Sequence, residues 1–142
     1  MSNNLTLFNF DNSSKSSIPL YLMPVSAGIP IPVDNYVENH IDLNEFLVER
    51  PSSTFFAKVK GDDLREAGIC DSDILIVDKS LTPSDGNFVL AKINQDLVVR
   101  YYRNINGVEY LESQTQQFFP LKISDEYSYT VLGTITKIIH SF

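Results

Sequence analysis

Cysteine, histidine and tryptophan are scarce in this 142-residue chain, which has one cysteine, two histidines and no tryptophan. The single cysteine, Cys70, has no second cysteine for an internal disulfide or a cysteine-rich metal cluster, as is usual in a reducing cytosol. No spacing links His40 or His140 to other metal ligands or to a Ser-Asp pair. We therefore expect a cytoplasmic protein with no cofactor and no metal site.

Positive charge is also in short supply, with 11 Lys and Arg against 18 Asp and Glu and a formal net charge of −7. Because phosphate binding needs clustered Lys and Arg, we expect no direct contact with nucleic acid. No apolar run approaches the ~20 residues of a membrane span. The segment Met1 to Asn12 also lacks the basic start and apolar stretch of a signal peptide, so we expect no membrane contact.

The beginning of the chain differs in composition from the rest. Residues 12–17 are mostly serine, and four prolines follow before residue 33. Proline fixes φ and removes a backbone donor, so this segment suits an extended strap better than a helix or a central strand. The sequence predicts a flexible arm over residues 1–33 and one compact domain over residues 34–142.

The rest of the chain begins with a helical signal and continues with strand signals. Asp42-Leu43-Asn44-Glu45 has capping-box spacing and Pro51 follows, which predicts a helix from Asp42 to Glu49. Later segments are rich in Val, Ile, Phe and Tyr. The predicted strands are Thr54 to Val59, Ile74 to Asp78, Phe88 to Ile93, Leu97 to Tyr102, Val108 to Glu112 and Tyr129 to Ile139.

The segments between these strands have turn chemistry. They contain Asp85-Gly86, Asn94-Gln95-Asp96 and Asn106-Gly107, the last typical of a type I′ hairpin turn. Six or so strands with short turns and little helix predict a mainly β protein, with a compact, partly closed antiparallel fold.

Several motifs together resemble one family of proteins. The segment Gly61-Asp62-Asp63-Leu64 and the residues that follow it, up to Ile74-Leu75-Ile76-Val77-Asp78, resemble the active-site region of the LexA/UmuD (S24) self-cleaving serine peptidases. In that family the first four residues read Gly-Asp-Ser-Met. Downstream, Val98-Val99-Arg100 lies where the family has a valine followed by the catalytic lysine. The resemblance implies a LexA/UmuD C-terminal-domain-like fold.

The upstream segments look more like UmuD than LexA. They are Asp34-Asn35-Tyr36-Val37-Glu38, Ile41-Asp42-Leu43-Asn44 and Pro51-Ser52-Ser53-Thr54. The resemblance begins at about Ala27, and the 26 residues before it are too few for the helix-turn-helix domain of a repressor. We therefore expect a UmuD-like protein.

The catalytic pair of the family is replaced in this sequence. In the family, a lysine kept neutral by apolar surroundings accepts the serine proton, and the serine attacks a peptide bond of the arm. Asp63 and Arg100 occupy those two positions here. A guanidinium stays protonated, and a carboxylate attacks amides poorly. The exchange predicts an inactive pair and a salt bridge between Asp63 and Arg100.

The family cleaves a bond between two small residues, Ala-Gly or Cys-Gly. Ala27-Gly28 matches this bond in the present sequence. An Ala-Gly pair in a proline-rich tail is commonplace by itself, but this one lies in register with the other motifs. We therefore interpret Ala27 and Gly28 as the cleavage-type bond.

Three functions are left open by the sequence. The first is a non-enzymatic UmuD-like subunit of an error-prone translesion polymerase in the SOS DNA-damage response. The second is a self-cleaving serine peptidase with another nucleophile, for which Ser72, Ser80 and Ser84 are candidates. The third is a pseudo-peptidase regulator of an active homologue.

The resemblance also implies partners. These are a homodimer or a heterodimer with a homologue, a Y-family polymerase, the RecA filament and the sliding clamp. Dimerisation is expected through the edge of a C-terminal strand such as Tyr129 to Ile139. The acidic residues Asp71, Asp73 and Asp78 flank a strand and lack the loop of a calcium site, so we assign them turn and capping roles.

Overall fold

The computed structural model describes residues 5–9, 17–22, 37–113, 121–122 and 129–142. Within these residues the protein is almost entirely β, with one short α-helix and two single-turn 3₁₀ segments at Pro51–Ser53 and Arg65–Ala67. The elements are β1 (Leu5–Asn9), β2 (Ser17–Leu22), β3 (Val37–Asp42), α1 (Leu43–Leu47), β4 (Thr54–Val59), β5 (Ile74–Asp78), β6 (Phe88–Ile93), β7 (Asp96–Ile105), β8 (Val108–Glu112), β9 (Leu121–Lys122) and β10 (Tyr129–Ile139).

The strands form two antiparallel sheets in two units of the chain. One unit comprises residues 1–10 and 50–142 and contains a sheet of order β1-β4-β5-β10-β6-β7-β8-β9. The other comprises residues 11–49 and contains the β2-β3 pair and α1. The predicted mainly β antiparallel fold is confirmed.

Five of the six predicted strands have the predicted bounds, and β7 is longer than expected at both ends. The hairpin turns also follow from the sequence. Asn106 and Gly107 both have positive φ, 53° and 83°, as a type I′ turn requires. Asn94 and Gln95, with φ of 48° and 76°, form the two-residue turn between β6 and β7. Local turn chemistry therefore sets the β6-β7-β8 register.

The helix is shorter than the predicted Asp42–Glu49. Asp42 caps it, and one carboxylate oxygen accepts from the backbone N–H groups of Asn44 at 2.9 Å and Glu45 at 3.4 Å. Val48 has extended backbone, with φ of −129° and ψ of 98°, which ends the helix after Leu47. The capping signal therefore predicted the N-terminus of the helix correctly. The helix ends two residues before the predicted Glu49.

The sequence did not predict β1, β2, β3 or β9. β1 pairs with β4, with Leu7 opposite Ala57, so residues 5–9 belong to the larger sheet. β2 pairs with β3, with Pro19 opposite His40. The division into an arm over residues 1–33 and a domain over residues 34–142 stays a prediction.

Two hydrophobic clusters stabilise the larger unit. The first joins β4, β5, β6 and β7 through Ala57, Val59, Ile69, Leu75, Val77, Leu90 and Val99, all buried. The second is formed by Val89, Ala91, Tyr102 and Leu111. Because side chains alternate along a strand, β6 and β7 contribute residues to both clusters.

β10 is an interior strand that changes partner along its length. Its first half pairs with β6 and its second half with β5, and Thr134 has a partner in both. The register shifts between Val131 and Gly133 and again between Ile135 and Lys137. Each neighbouring strand therefore pairs with only about half of β10, and the expected dimerisation through the edge of this strand stays a prediction. Among the described strands, β1 and β9 end the sheet.

Gly133 lies where β10 crosses to β5, and the close packing there requires a glycine. A Cβ at this position would come 2.6 Å from the Val77 Cγ1 atom and 3.0 Å from the Asp78 carbonyl oxygen. We expect Gly133→Ala to lower the free energy of unfolding by about 1–3 kcal/mol, because the backbone of β5 must move. Thermal denaturation measures this, with Thr130→Ala, an exposed site on the same strand, as the control. An unchanged melting temperature in Gly133→Ala would contradict the close approach.

Candidate functional site

The family motif forms a loop between β4 and β5 that the backbone itself closes. The N–H of Val59 donates to the Asp73 carbonyl at 2.8 Å, and the N–H of Ser72 donates to the Val59 carbonyl at 2.8 Å. Gly61, Gly68 and Ser72 have positive φ, at 93°, 82° and 69°. The glycines of the motif therefore let the chain turn back on itself between the two paired strands.

Aspartates fasten the two ends of this loop to each other. The Gly61 N–H donates to the Asp71 carboxylate at 2.6 Å, and the Asp71 N–H donates to Asp62 at 3.3 Å. Asp62 also forms an exposed ion pair with Arg65 at 3.3 Å. Asp71 thus has the turn-stabilising role that the sequence predicted for the acidic residues.

Asp63 is exposed at the tip of this loop, directly before Leu64. The Leu64 side chain packs against the first hydrophobic cluster. The Leu64 carbonyl accepts from the N–H groups of Ala67 at 2.9 Å and Ile69 at 3.2 Å, which holds the short helical turn. The loop therefore anchors its apolar side in the core and presents position 63 to solvent.

Arg100 lies in the middle of β7, opposite Val89 of β6. Its side chain is half-buried, and its guanidinium donates to the Val99 carbonyl at 2.9 Å. Burial lowers the pKa of Arg100, but a guanidinium remains charged at any physiological pH. An arginine here cannot act as the neutral base that the family chemistry needs.

The segments that carry the two positions meet at one cluster. Leu64, which follows Asp63, packs against the cluster that contains Val99, which precedes Arg100. Side chains alternate along β7, so Arg100 lies on the face opposite to Val99. Leu64 and Val99, the chain neighbours of Asp63 and Arg100, therefore belong to the same hydrophobic cluster.

Ion pairs between described side chains include Arg50 with Asp78, Arg65 with Asp62, and Arg103 with Asp85 and Glu112, and the His140 ring contacts the Asp73 carboxylate. The predicted salt bridge between Asp63 and Arg100 stays a prediction. A carboxylate and a permanently charged guanidinium differ in chemistry from the serine hydroxyl and the neutral lysine amine of the family pair.

Within the described residues, the serines predicted as alternative nucleophiles do not pair with a base. Ala27 and Gly28 lie outside the described residues. The Ser72 hydroxyl donates to Asp71 at 3.3 Å and the Ser80 hydroxyl to Asp78 at 2.7 Å. In the part of the chain that the structure describes, neither hydroxyl, nor that of Ser84, bonds to a lysine or histidine.

Asp78 is buried and satisfied by donors, so it is a poor proton acceptor for Ser80. Burial raises the pKa of Asp78, but hydrogen bonds from Ser80, Ser53 and Arg50 lower it by more. The net pKa lies below the ordinary value for an aspartate. The Ser80–Asp78 contact therefore stabilises the end of β5 and does not activate a nucleophile.

His140, which no sequence spacing linked to another residue, contacts Asp73. Its Nδ1 atom lies 2.5 Å from a carboxylate oxygen of Asp73, which is 1% exposed. Burial raises the pKa of Asp73, but the Cys70 N–H and the His140 ring lower it further than burial raises it. Sequence spacing missed this pair, because 67 residues separate its members.

The helices of the described residues lack the length and apolar character needed to span a lipid bilayer.

The antiparallel strand order and the closed β4-β5 loop define a mostly β domain, consistent with the LexA/UmuD C-terminal-domain fold. The family model described as Peptidase S24-like matches residues 19–136. This chain belongs to the Peptidase S24-like family, and its predicted placement as a UmuD-like member of the LexA/UmuD family is confirmed.

The similarity to individual relatives covers different shares of their length. Protein MucA of Salmonella typhimurium is 40% identical over 94 residues, which cover 64% of this chain and 64% of MucA, less than two thirds of either. Protein SamA of Salmonella typhimurium is 29% identical over 126 residues, 89% of this chain and 87% of SamA. The LexA repressor of Shewanella oneidensis is 27% identical over 132 residues, 92% of this chain and 63% of the repressor.

Proposed function

We propose that this protein is a non-enzymatic UmuD-like subunit, which retains the peptidase fold for binding and has lost self-cleavage. The proposal rests on the two residues that the resemblance aligns with the catalytic serine and lysine, in a chain that the Peptidase S24-like model matches over residues 19–136. Asp63 is an exposed carboxylate and Arg100 a permanently charged guanidinium. Neither residue type supplies what a serine–lysine pair supplies.

The proposed role is that of an accessory subunit of a Y-family translesion polymerase in the cytoplasm, during the SOS response to DNA damage. The formal charge of −7 supports contact with protein surfaces over contact with phosphates. We also propose pairing with a second copy or with a homologue, and contacts with the RecA filament and the sliding clamp. These partners are carried over from the LexA/UmuD resemblance.

The loss of self-cleavage is tested by incubating the purified protein at alkaline pH, and separately with a RecA filament and an ATP analogue. We expect the chain to remain intact, because position 63 has no hydroxyl and position 100 cannot accept a proton. Mass spectrometry would detect a fragment that begins at Gly28. Such a fragment in either sample would overturn the proposal of an inactive pair.

The binding role is tested separately, with a tagged Y-family polymerase from the organism that encodes this chain. We expect this protein to be retained with the polymerase at physiological salt, and the peptidase domain of a LexA repressor to be washed through as the matched control. Equal retention of both domains, or of neither, would contradict a dedicated polymerase subunit. Retention on an active homologue but not on the polymerase would identify a regulator instead.

A further inference from the structure

Three side chains with metal-binding atoms meet beside the β4-β5 loop, outside the proposed catalytic positions. They are Cys70, Asp73 and His140, and one ligand atom from each lies within 4.8 Å of the other two. All three belong to the larger unit of the chain. Sulfur, nitrogen and oxygen donors together form the mixed set that zinc accepts in proteins.

The sheet register brings these residues together. The second half of β10 runs antiparallel to β5, with Ile139 opposite Ile74. His140 follows Ile139 and Asp73 precedes Ile74, so the next position along the ladder places the histidine beside the aspartate. Cys70 joins them through a tight turn, in which the Asp73 N–H donates to the Cys70 carbonyl at 3.1 Å and Ser72 adopts a φ of 69°.

The Asp73 carboxylate is already oriented as a metal ligand would be. One of its oxygens accepts from the Cys70 N–H at 2.8 Å, which leaves the other oxygen facing the His140 ring at 2.5 Å. A hydrogen bond that fixes one oxygen and leaves the second for a metal is the usual arrangement around a ligating carboxylate. Asp73 is therefore the fixed ligand of the cluster.

His140 is the adjustable ligand. Its side chain is 43% exposed, and it lies beyond the last strand with its ring 5.4 Å from that of Phe142. Ligand atoms around a tetrahedral zinc lie roughly 3.3–3.8 Å apart, given bonds of about 2.0–2.3 Å. The histidine must therefore move away from Asp73 by about 1 Å, which an exposed side chain near the end of the strand permits.

We propose that Cys70, Asp73 and His140 form a three-ligand zinc site, with water as the fourth ligand. Binding deprotonates the Cys70 thiol, and its proton passes to solvent. Calcium and magnesium are disfavoured there, because both prefer all-oxygen ligand sets. A bound zinc would join the segment after β10 to the loop that carries Asp63.

The site is tested with Co²⁺ as a spectroscopic substitute for Zn²⁺ on the full chain. We expect a thiolate-to-cobalt charge-transfer band and the absorption of a tetrahedral ion, both removed by competing Zn²⁺. Cys70→Ser should abolish the charge-transfer band. His140→Gln and Asp73→Asn should weaken Co²⁺ binding by at least about tenfold. The matched controls His40→Gln and Asp71→Asn should leave the binding unchanged.

Two outcomes would overturn the proposal. One is the absence of a charge-transfer band in the wild-type protein. The other is equal Co²⁺ affinity in His140→Gln and His40→Gln, which would mean adventitious binding to the cysteine alone. His140→Gln keeps the test decisive if Asp73→Asn fails to fold, because His140 is exposed. Zn²⁺ should also raise the melting temperature of the wild-type protein and not that of His140→Gln.

Discussion

The double change Asp63→Ser with Arg100→Lys is expected to convert this protein into one that cleaves itself between Ala27 and Gly28. The new serine supplies the hydroxyl nucleophile, and the new lysine supplies a base whose pKa burial can lower. Position 100 is half-buried, and burial already lowers the pKa of Arg100. A lysine at the same place would be shifted in the same direction, towards the neutral form that accepts a proton.

Each single change is expected to remain nearly inactive. Asp63→Ser alone leaves at position 100 a guanidinium that cannot accept the serine proton, and Arg100→Lys alone leaves no hydroxyl at position 63. The double variant should therefore cleave at least about 10²-fold faster than either single variant, which is the lower end of the general-base contribution. The rate is measured at alkaline pH as the appearance of a fragment that begins at Gly28.

A matched control is available in the same loop and strand. Asp62→Ser with Arg103→Lys makes the same pair of changes one residue before Asp63 and three residues after Arg100, and we expect no cleavage from it. Efficient cleavage by Asp63→Ser alone would show that Arg100 does not occupy the position of the base. A folded double variant that never cleaves would show that the two positions do not assemble into one site.

Asp78→Ala is expected to lower the free energy of unfolding by roughly 3 kcal/mol, because it removes the acceptor of a buried network. Asp78 is 3% exposed, at the end of β5. Its carboxylate accepts from the Ser53 hydroxyl at 2.8 Å, from the Ser80 N–H and hydroxyl at 2.9 and 2.7 Å, and from the Arg50 guanidinium at 3.1 Å. Without Asp78, the serine donors at this edge of the core lose their partner.

Urea denaturation measures this change, with Asp85→Ala as the matched control. Asp85 also has an arginine partner, since Arg103 donates to it at 2.8 Å, but this pair is solvent-exposed. We expect Asp85→Ala to lower the free energy of unfolding much less than Asp78→Ala, because exposed ion pairs contribute little to stability. Equal losses in both variants would show that the burial of Asp78 does not matter.

The same carboxylate predicts a loss of stability in acid. The pKa of Asp78 is lower in the folded protein than in the unfolded chain, because donor hydrogen bonds outweigh burial. Its stabilising contribution is therefore complete above the unfolded pKa and decreases as the pH falls through the folded pKa. Unfolding free energies measured from neutral to acid pH should fall less steeply in Asp78→Ala than in the wild-type protein.

Local sequence signals succeeded where the structure depends on neighbouring residues. The strands β5, β6 and β8 were predicted from their apolar residues and the turns between them, and Asn106-Gly107 requires the positive φ that a hairpin uses. β1 was missed, because a five-residue strand next to a serine-rich and proline-rich segment becomes a strand only by pairing with β4. Pairing energy is not visible in the strand's own sequence.

The sequence by itself indicated the family, most of the strands and the residue types at the two proposed catalytic positions. The proposal that Asp63 and Arg100 exclude a serine–lysine mechanism rests on the chemistry of these residue types and needed no coordinates. Only the tertiary structure decided that β10 is interior and that Gly133 must be a glycine. It also brought Cys70, Asp73 and His140 together, because antiparallel pairing of β5 with β10 joins residues 67 positions apart. Contacts at that separation depend on the register of the whole sheet, which no local pattern specifies.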